Sequence, residues 1–447
     1  MLIIMLIGTT FFIMQPIGNV KAAPSEDDNY DEIYYVSANG NDANDGLSED
    51  YPFATLAKTA NVINNGIDGN YLVIVMTDLT STACARYYDN TVTIKSLGDT
   101  SFTVTRGVGF SIQRENRRAW YNPAMIEIGG DVTPTGPKIS LTLKNIIFDD
   151  AYLYEGTTFR YAGTAPNPDP TNVNLVYVQD AIVASYSPNS VIILAEGAEL
   201  HNFGGMTALR ATDGATAIMK DGSLITDVGS TASTRQVSST STDYRANGEA
   251  AVSISTNAHF YMYDGSKITN IANAHSVKLS GVYRCFIDGE IAYMKGSKGM
   301  DATDGNQAAN HEGRGFKNAV LFNGGTTLNP ETGAPGAAII GPNAYIHNNG
   351  VKCGAVGINR SANVFVEIYG KINNNVGLTG SRYVLGIPIA AGTNGGGLYI
   401  VGGGTIRLEA GSEVCNNVVS NSAYGGAASI QQNGARLIMN GGLVSGN

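Results

Sequence analysis

Charge is scarce in this chain: Asp, Glu, Lys and Arg make up 15% of its 447 residues, against about 25% in an ordinary soluble domain. Basic groups are the scarcer kind, 28 Lys and Arg beside 38 Asp and Glu. The formal net charge of −10 argues against a nucleic-acid partner, which would need a basic face to displace counterions from phosphate. Cysteine is rare as well. Cys84, Cys285, Cys353 and Cys415 stand too far apart for a CxxC metal or redox motif; in an exported chain they allow up to two disulfides or four buried thiols. His201, His259, His275, His311 and His347 form no HxH or HExxH pattern, so no zinc site is expected. There is no GxSxG elbow and no phosphate-binding glycine loop. Beyond the N-terminus no run is long and apolar enough to span a bilayer.

What is present is glycine, 55 residues where the usual share is about 7%, together with a hydrophobic fraction of 43% that excludes disorder. Residues 1–23 hold an apolar run, Leu2 to Ile7 and Phe11 to Met14, that ends in Ala22 and Ala23. They read as a signal peptide, although no Lys or Arg precedes the run. Residues 24–70 form an acidic leader and an N-terminal cap. Within them Tyr34 to Ser37 reads as a strand, the Asn39-Gly40 and Asp45-Gly46 pairs as turns, and Leu56 to Ile63 as a short amphipathic helix stopped by Asn64, Asn65 and Gly66.

The stretch YYVSANGNDANDGLSEDYPFATL, residues 34–56, resembles the N-terminal segment of bacterial pectate-lyase-like right-handed β-helix proteins. In that superfamily such a helix caps the open end of the solenoid. The resemblance covers residues 33–66 and implies the fold rather than an activity, because lyases, hydrolases, epimerases and adhesins share it.

From residue 71 to 447 strands dominate, and from about Ala181 they repeat. Gly395 to Ile400 returns thirty residues later as Gly425 to Ile430, each followed by a second strand, a glycine turn and an apolar residue. Related units start near Ala181, Thr207, Ala251, Val277, Ala319 and Ala355, about eight in all, which is the signature of a solenoid of short strands. The fold expected is all-β, a right-handed parallel β-helix with a short N-terminal capping helix. Leu398, Ile400, Ile406, Leu408, Leu437 and Met439 should point inward, so that Leu408→Asp disrupts the coil while Arg407→Asp, one residue earlier on the outer face, is nearly silent. One row of the repeat, Asn202, Asp227, Asn270, Asn348, Asn374 and Asn416, is spaced to stack as a hydrogen-bonded ladder at a turn, with Tyr293 interrupting it and Asn447 one residue late. The chain stops at Asn447 directly after a turn, so more protein is expected beyond it.

Two segments carry the candidate chemistry. Arg114, Arg117 and Arg118 beside Trp120 and Tyr121 offer cations and rings to an acidic sugar, or a tryptophan packed over a coil edge. In the segment 296–317, Asp301 and Asp304 are the oxygen donors for a possible Ca²⁺, and Arg314 suits a uronate carboxylate; a solvated loop explains the same residues. Resemblance to pectate lyases implies Ca²⁺ and a basic arginine on neighbouring coils, but no residue here matches a lyase motif position by position. Asp149 and Asp150 are adjacent on a strand and point to opposite faces, which is wrong for a hydrolase pair. The function expected is therefore a secreted or cell-surface scaffold that binds polysaccharide or host surface glycans. The alternative is a polysaccharide lyase or glycoside hydrolase acting on an acidic polysaccharide.

Overall fold

The computed structural model describes residues 30–107, 124–129, 139–149, 152–155, 158–161, 181–201, 207–228, 250–271, 274–294, 318–323, 337–351, 353–359, 364–377, 381–384, 387–390, 395–419, 425–432 and 434–447. They build a right-handed parallel β-helix with three long walls: face 1 has twelve strands, face 2 eleven and face 3 ten. Each coil visits face 3, face 1 and face 2 in that order, as in Ala181–Ser185, Val191–Leu194 and Ala198–His201, before face 3 resumes at Thr207–Ala211. The sequence shows only two strands per unit. The third is typically three residues, such as Glu413–Cys415, too short for alternation to stand out from a turn. The eight unit starts fall within, or up to three residues before, the last eight strands of face 3; of the two earlier strands, Ile126–Ile128 is legible in sequence as the strand Met125 to Ile128 but not as part of the repeat, and Ala85–Tyr87 is not legible.

Alternation sets the interior. Ile406 pairs with Leu437 and Leu408 with Met439, and Leu398, Ile400, Ile406 and Leu408 are almost wholly buried. Leu437 is half-buried and Met439 is 57% exposed, because their rung has a neighbouring coil on one side only. The six residues thus keep the register expected of them, and the first four the burial.

At the other end, Glu32–Val36 already pairs with Asn70–Val75 as the first strand of face 1. Helix Leu56–Asn64 starts at Thr55, whose hydroxyl accepts from the Lys58 amide at 3.1 Å, and buries Leu56, Thr59, Ala60 and Ile63. Its last residue finishes the wall beneath it. The Asn64 side chain donates to the Arg86 carbonyl at 2.7 Å and accepts from the Tyr88 amide at 2.9 Å, standing in for the strand that would otherwise pair with that edge of face 3.

The turn after face 2 corrects the ladder. Asp227, Asn270, Asn348, Asn374 and Asn416, with Tyr293 between them, all have φ between 53° and 59°, so this row serves the left-handed corner; Asn202 lies outside the described residues. The bonded ladder runs one residue later. The Asn349 side-chain amide donates to Asn375, that of Asn375 to Asn417 and that of Asn417 to Asn447, at 3.0, 2.9 and 3.0 Å. Asn447 is in register with this ladder, and Gly446 (φ 67°) takes the left-handed slot before it. In earlier coils the same position holds Val228, Ile271 and Met294, all in the apolar core.

All four cysteines are free, so the structure contains neither of the two disulfides the sequence permits. Among the described residues no helix is long and apolar enough to cross a membrane.

Candidate functional site

The three corners of the coil are unequal. From face 1 to face 2 the chain always turns quickly, never taking more than the five residues 97–101. The long connections border face 3 instead. Residues 107–125, 150–180, 229–249 and 295–317 lead into it from face 2, and 129–139 and 324–336 lead out of it to face 1. Two connections into face 3 carry antiparallel hairpins, Tyr152–Glu155 with Thr158–Tyr161 and Ser381–Val384 with Ile387–Ala390. Face 3 is therefore the wall with long connections at both margins, where a rigid solenoid places variable recognition elements.

Strand register lines up one outward row along this wall: Arg86, Glu127, Ala184, Arg210, Ser253, Lys278, Leu321, Gly357, Tyr399 and Ser429. Its first six positions hold three cations and one carboxylate. Glu127 accepts from Arg86 Nε at 2.8 Å and from the Ala124 amide at 3.1 Å, so both of its oxygens are engaged. Arg210, 8% exposed, donates to the Thr207 hydroxyl at 3.5 Å. From the face 2 margin Arg106, 1% exposed, reaches across to the Ala181 carbonyl at 3.1 Å. His275 Nδ1 accepts from the Asn318 amide at 3.0 Å. Around these groups the floor is made of small residues, with Ala124, Ala181 and Ala184 packed against Tyr186 outside the main core. Burial pushes the Cys84 thiol well above its ordinary value, and the charge of Glu127 adds to the effect, so it is no ready nucleophile.

On the other two walls several charged groups pair with one another. On face 2, Glu290 accepts from Lys267 Nζ and His347 Nε2, both at 3.0 Å; the Asn348 amide lies 2.9 Å from His347 Nδ1, and Tyr345 stacks on the imidazole at 3.8 Å. Burial alone would raise the Glu290 pKa, but these two hydrogen bonds outweigh it and hold the carboxyl below its ordinary value. His201 and Glu199 pair at 2.6 Å on the same wall. On face 1, Arg407 bridges Glu367 and Glu409 and lies over the Phe365 ring, while Asn440 donates to the second Glu409 oxygen at 2.7 Å. Among the described residues no cluster of His, Cys, Asp and Glu could hold a metal ion.

Arg114, Arg117, Arg118, Trp120 and Tyr121, and likewise Asp301, Asp304 and Arg314, lie outside the described residues. Their segments nevertheless join the same margin. The first leaves after Gly107 and rejoins at Ala124, the second leaves after Met294 and rejoins at Asn318, about five rungs or 24 Å further along face 3. Sequence reading missed Arg86, Glu127, Arg210 and Lys278 because insertions of unequal length hide their common register; Arg86 and Glu127 are 41 residues apart. Alignment on the alternating apolar residues of face 3 would have revealed them.

No protein-family model matches the chain, and no curated protein matches it. Among solved structures it resembles a glycoside hydrolase (TM-score 0.35, 10% identity, 92% of this chain and 96% of that one). It also resembles a lacto-N-biosidase from Eubacterium ramulus (0.36, 11%, 93% and 68%). A third is a rhamnogalacturonan lyase (0.23, 11%, 91% and 86%). At these scores the likeness carries no argument about activity.

Proposed function

We propose that this is an exported β-helix protein that engages an acidic polysaccharide along face 3. One observation carries the reading: in a chain of net charge −10, the wall bordered by the long connections has an outward row with Arg86, Arg210 and Lys278 against a single Glu127. Cations repeating along an axial row suit a polymer with a carboxylate on successive sugars, and Arg can grip such a group through two parallel hydrogen bonds. A surface scaffold that holds bacterial polysaccharide or host glycans needs no more than this.

The second reading is that the chain cleaves what it binds. Hydrolysis requires two carboxylates astride the scissile bond, and the described strands of face 3 contribute one, Glu127. Cations around a uronate instead stabilise the negative charge that develops when its α-proton is removed, so elimination is the cleavage to which this wall is suited.

Immobilised polyuronates, their neutral counterparts and mucin would be probed with the full chain over a range of salt. Binding to the acidic polymers that weakens steeply between low and physiological salt is expected. Equal binding to neutral polymers, or none to any, would overturn the proposal. Following ultraviolet absorbance of an unsaturated product in the same samples separates an eliminating enzyme from a scaffold.

A further inference from the structure

The charge on face 3 is confined to one half of the wall. Its first six strands carry Arg86, Glu127, Arg210, His275 and Lys278. The last four, Val320–Asn323, Val356–Asn359, Leu398–Val401 and Ala428–Gln431, carry no ionisable acid or base other than the Tyr399 phenol. This is not a regional poverty of charge. In the same coils face 1 holds Glu367, Arg407 and Arg436, and face 2 holds His347, Lys371 and Glu413.

In the cations' own row Leu321, Gly357, Tyr399 and Ser429 follow Lys278, and a row of neutral polar groups runs alongside. Asn323, Asn359, Val401 and Gln431 fall in one axial row, and Asn359 donates to Asn323 across the rungs at 3.5 Å. Beside them the central row holds the half-buried Tyr399 and the buried Ser429, whose hydroxyl accepts from Gln431 Nε2 at 3.3 Å, and the Asn318 amide fills the space over Gly357. Carboxamides and a hydroxyl both donate and accept, as sugar hydroxyl and acetamido groups require, and an aromatic ring offers an apolar face to a pyranose. The described strands of this half offer no counter-charge to a carboxylate, which would lose hydration over them without compensation.

We infer that the ligand is a block-patterned glycan: an acidic stretch lies over the strands from Arg86 to Lys278, and a neutral stretch, uncharged or esterified, lies over those from Leu321 to Ser429. This rests on the reading of face 3 as the glycan-binding wall. Arg86 and Lys278 are five rungs apart, about 24 Å, and Tyr399 is three further rungs away, about 14 Å, so an extended oligosaccharide aligned with the axis contacts both halves. The junction falls between Lys278 and Leu321, adjacent strands at the site where the segment 295–317 attaches.

Titration calorimetry on the full chain would use three probes of equal length: an oligogalacturonate, the same oligomer after carboxyl reduction, and a block oligomer with one acidic and one methyl-esterified half. The block oligomer should bind about tenfold more tightly than either uniform one. Lys278→Ala should weaken the acidic and block probes about tenfold and leave the reduced one unchanged; Tyr399→Ala should weaken the reduced and block probes and spare the acidic one. Melting temperatures equal to that of the parent confirm that both variants are folded. If the acidic oligomer matches the block oligomer and ignores Tyr399→Ala, the block inference fails while the cationic wall stands. If no acidic probe binds, the underlying reading fails with it.

Discussion

Arg407 stands on the outer side of face 1, one residue before the fully buried Leu408, and alternation alone makes a change there look harmless. The structure corrects that expectation. The guanidinium is shared by Glu367 and by Glu409, whose side chain is only 8% exposed, and it covers the ring of Phe365. Arg407→Asp removes the counter-charge and brings a third carboxylate between the two, so it should cost about 2–4 kcal/mol and lower the melting temperature visibly. Leu408→Asp should cost more, since it buries a charge with no partner at all. Tyr293 presents the opposite opportunity. It occupies with φ 59° a corner slot that Asn fills in other coils, so Tyr293→Asn should stabilise by about 1 kcal/mol, less what the edge contact with His347 contributes, and raise the melting temperature. Glu290 gives a pH signature. Its carboxyl is held below the ordinary value, so its contribution is complete above about pH 5 and is lost as acid protonates it. Between pH 5 and pH 3 the parent should therefore lose more stability than Glu290→Gln; parallel curves would show that the bonds to Lys267 and His347 do not hold in solution.

At the scale of the element, the corner after face 2 changes character along the helix. Val228, Ile271 and Met294 fill it with hydrocarbon, and from Asn349 onward amides fill it. Each ladder amide is fully used. Asn375 Nδ2 donates to Ile346 O at 3.0 Å and to Asn417 Oδ1 at 2.9 Å, while its Oδ1 accepts from the backbone amide and Nδ2 of Asn349 at 3.2 and 3.0 Å. The chain of bonds ends against hydrocarbon, where the Met294 amide donates to Asn349 Oδ1 at 3.1 Å. Asn417→Ala leaves the Asn375 amide and the Ile372 carbonyl without their partner in a buried corner. It should cost about 2–4 kcal/mol, whereas Asn416→Gly, in the left-handed row alongside, should cost well under 1 kcal/mol. Equal losses would place the ladder in the wrong row. The sequence misleads here because the two rows are adjacent: consecutive asparagines such as Asn416 and Asn417 satisfy either register, and only the backbone conformation separates the corner residue from the bonding one. The helix Leu56–Asn64 was legible to within a residue, because its polar stop and apolar spacing are local signals. The three-residue strands of face 2 were not, being shorter than the period needed to recognise them.

Over the whole molecule, what was legible was periodicity. Eight strands of face 3 begin near where the repeated units begin, since inward residues must recur wherever the coil returns to the same wall. The candidate site was far less legible. Its cations are scattered singly, each looks like an ordinary surface residue in its own strand, and they become a row only when the coils stack. The residues that looked functional in sequence, around Trp120 and between Asp301 and Arg314, are on connections that join the margin of that row. Amide hydrogen exchange on the full chain, free and saturated with a polyuronate, reads all three walls in one measurement. Slower exchange concentrated in the strands Ala85–Tyr87, Ile126–Ile128, Thr207–Ala211 and His275–Ser280 and in the connections beside them, with face 1 unchanged, is the expected footprint. Protection centred on face 1, or none at saturating polymer, would contradict the assignment of face 3 as the glycan-binding wall.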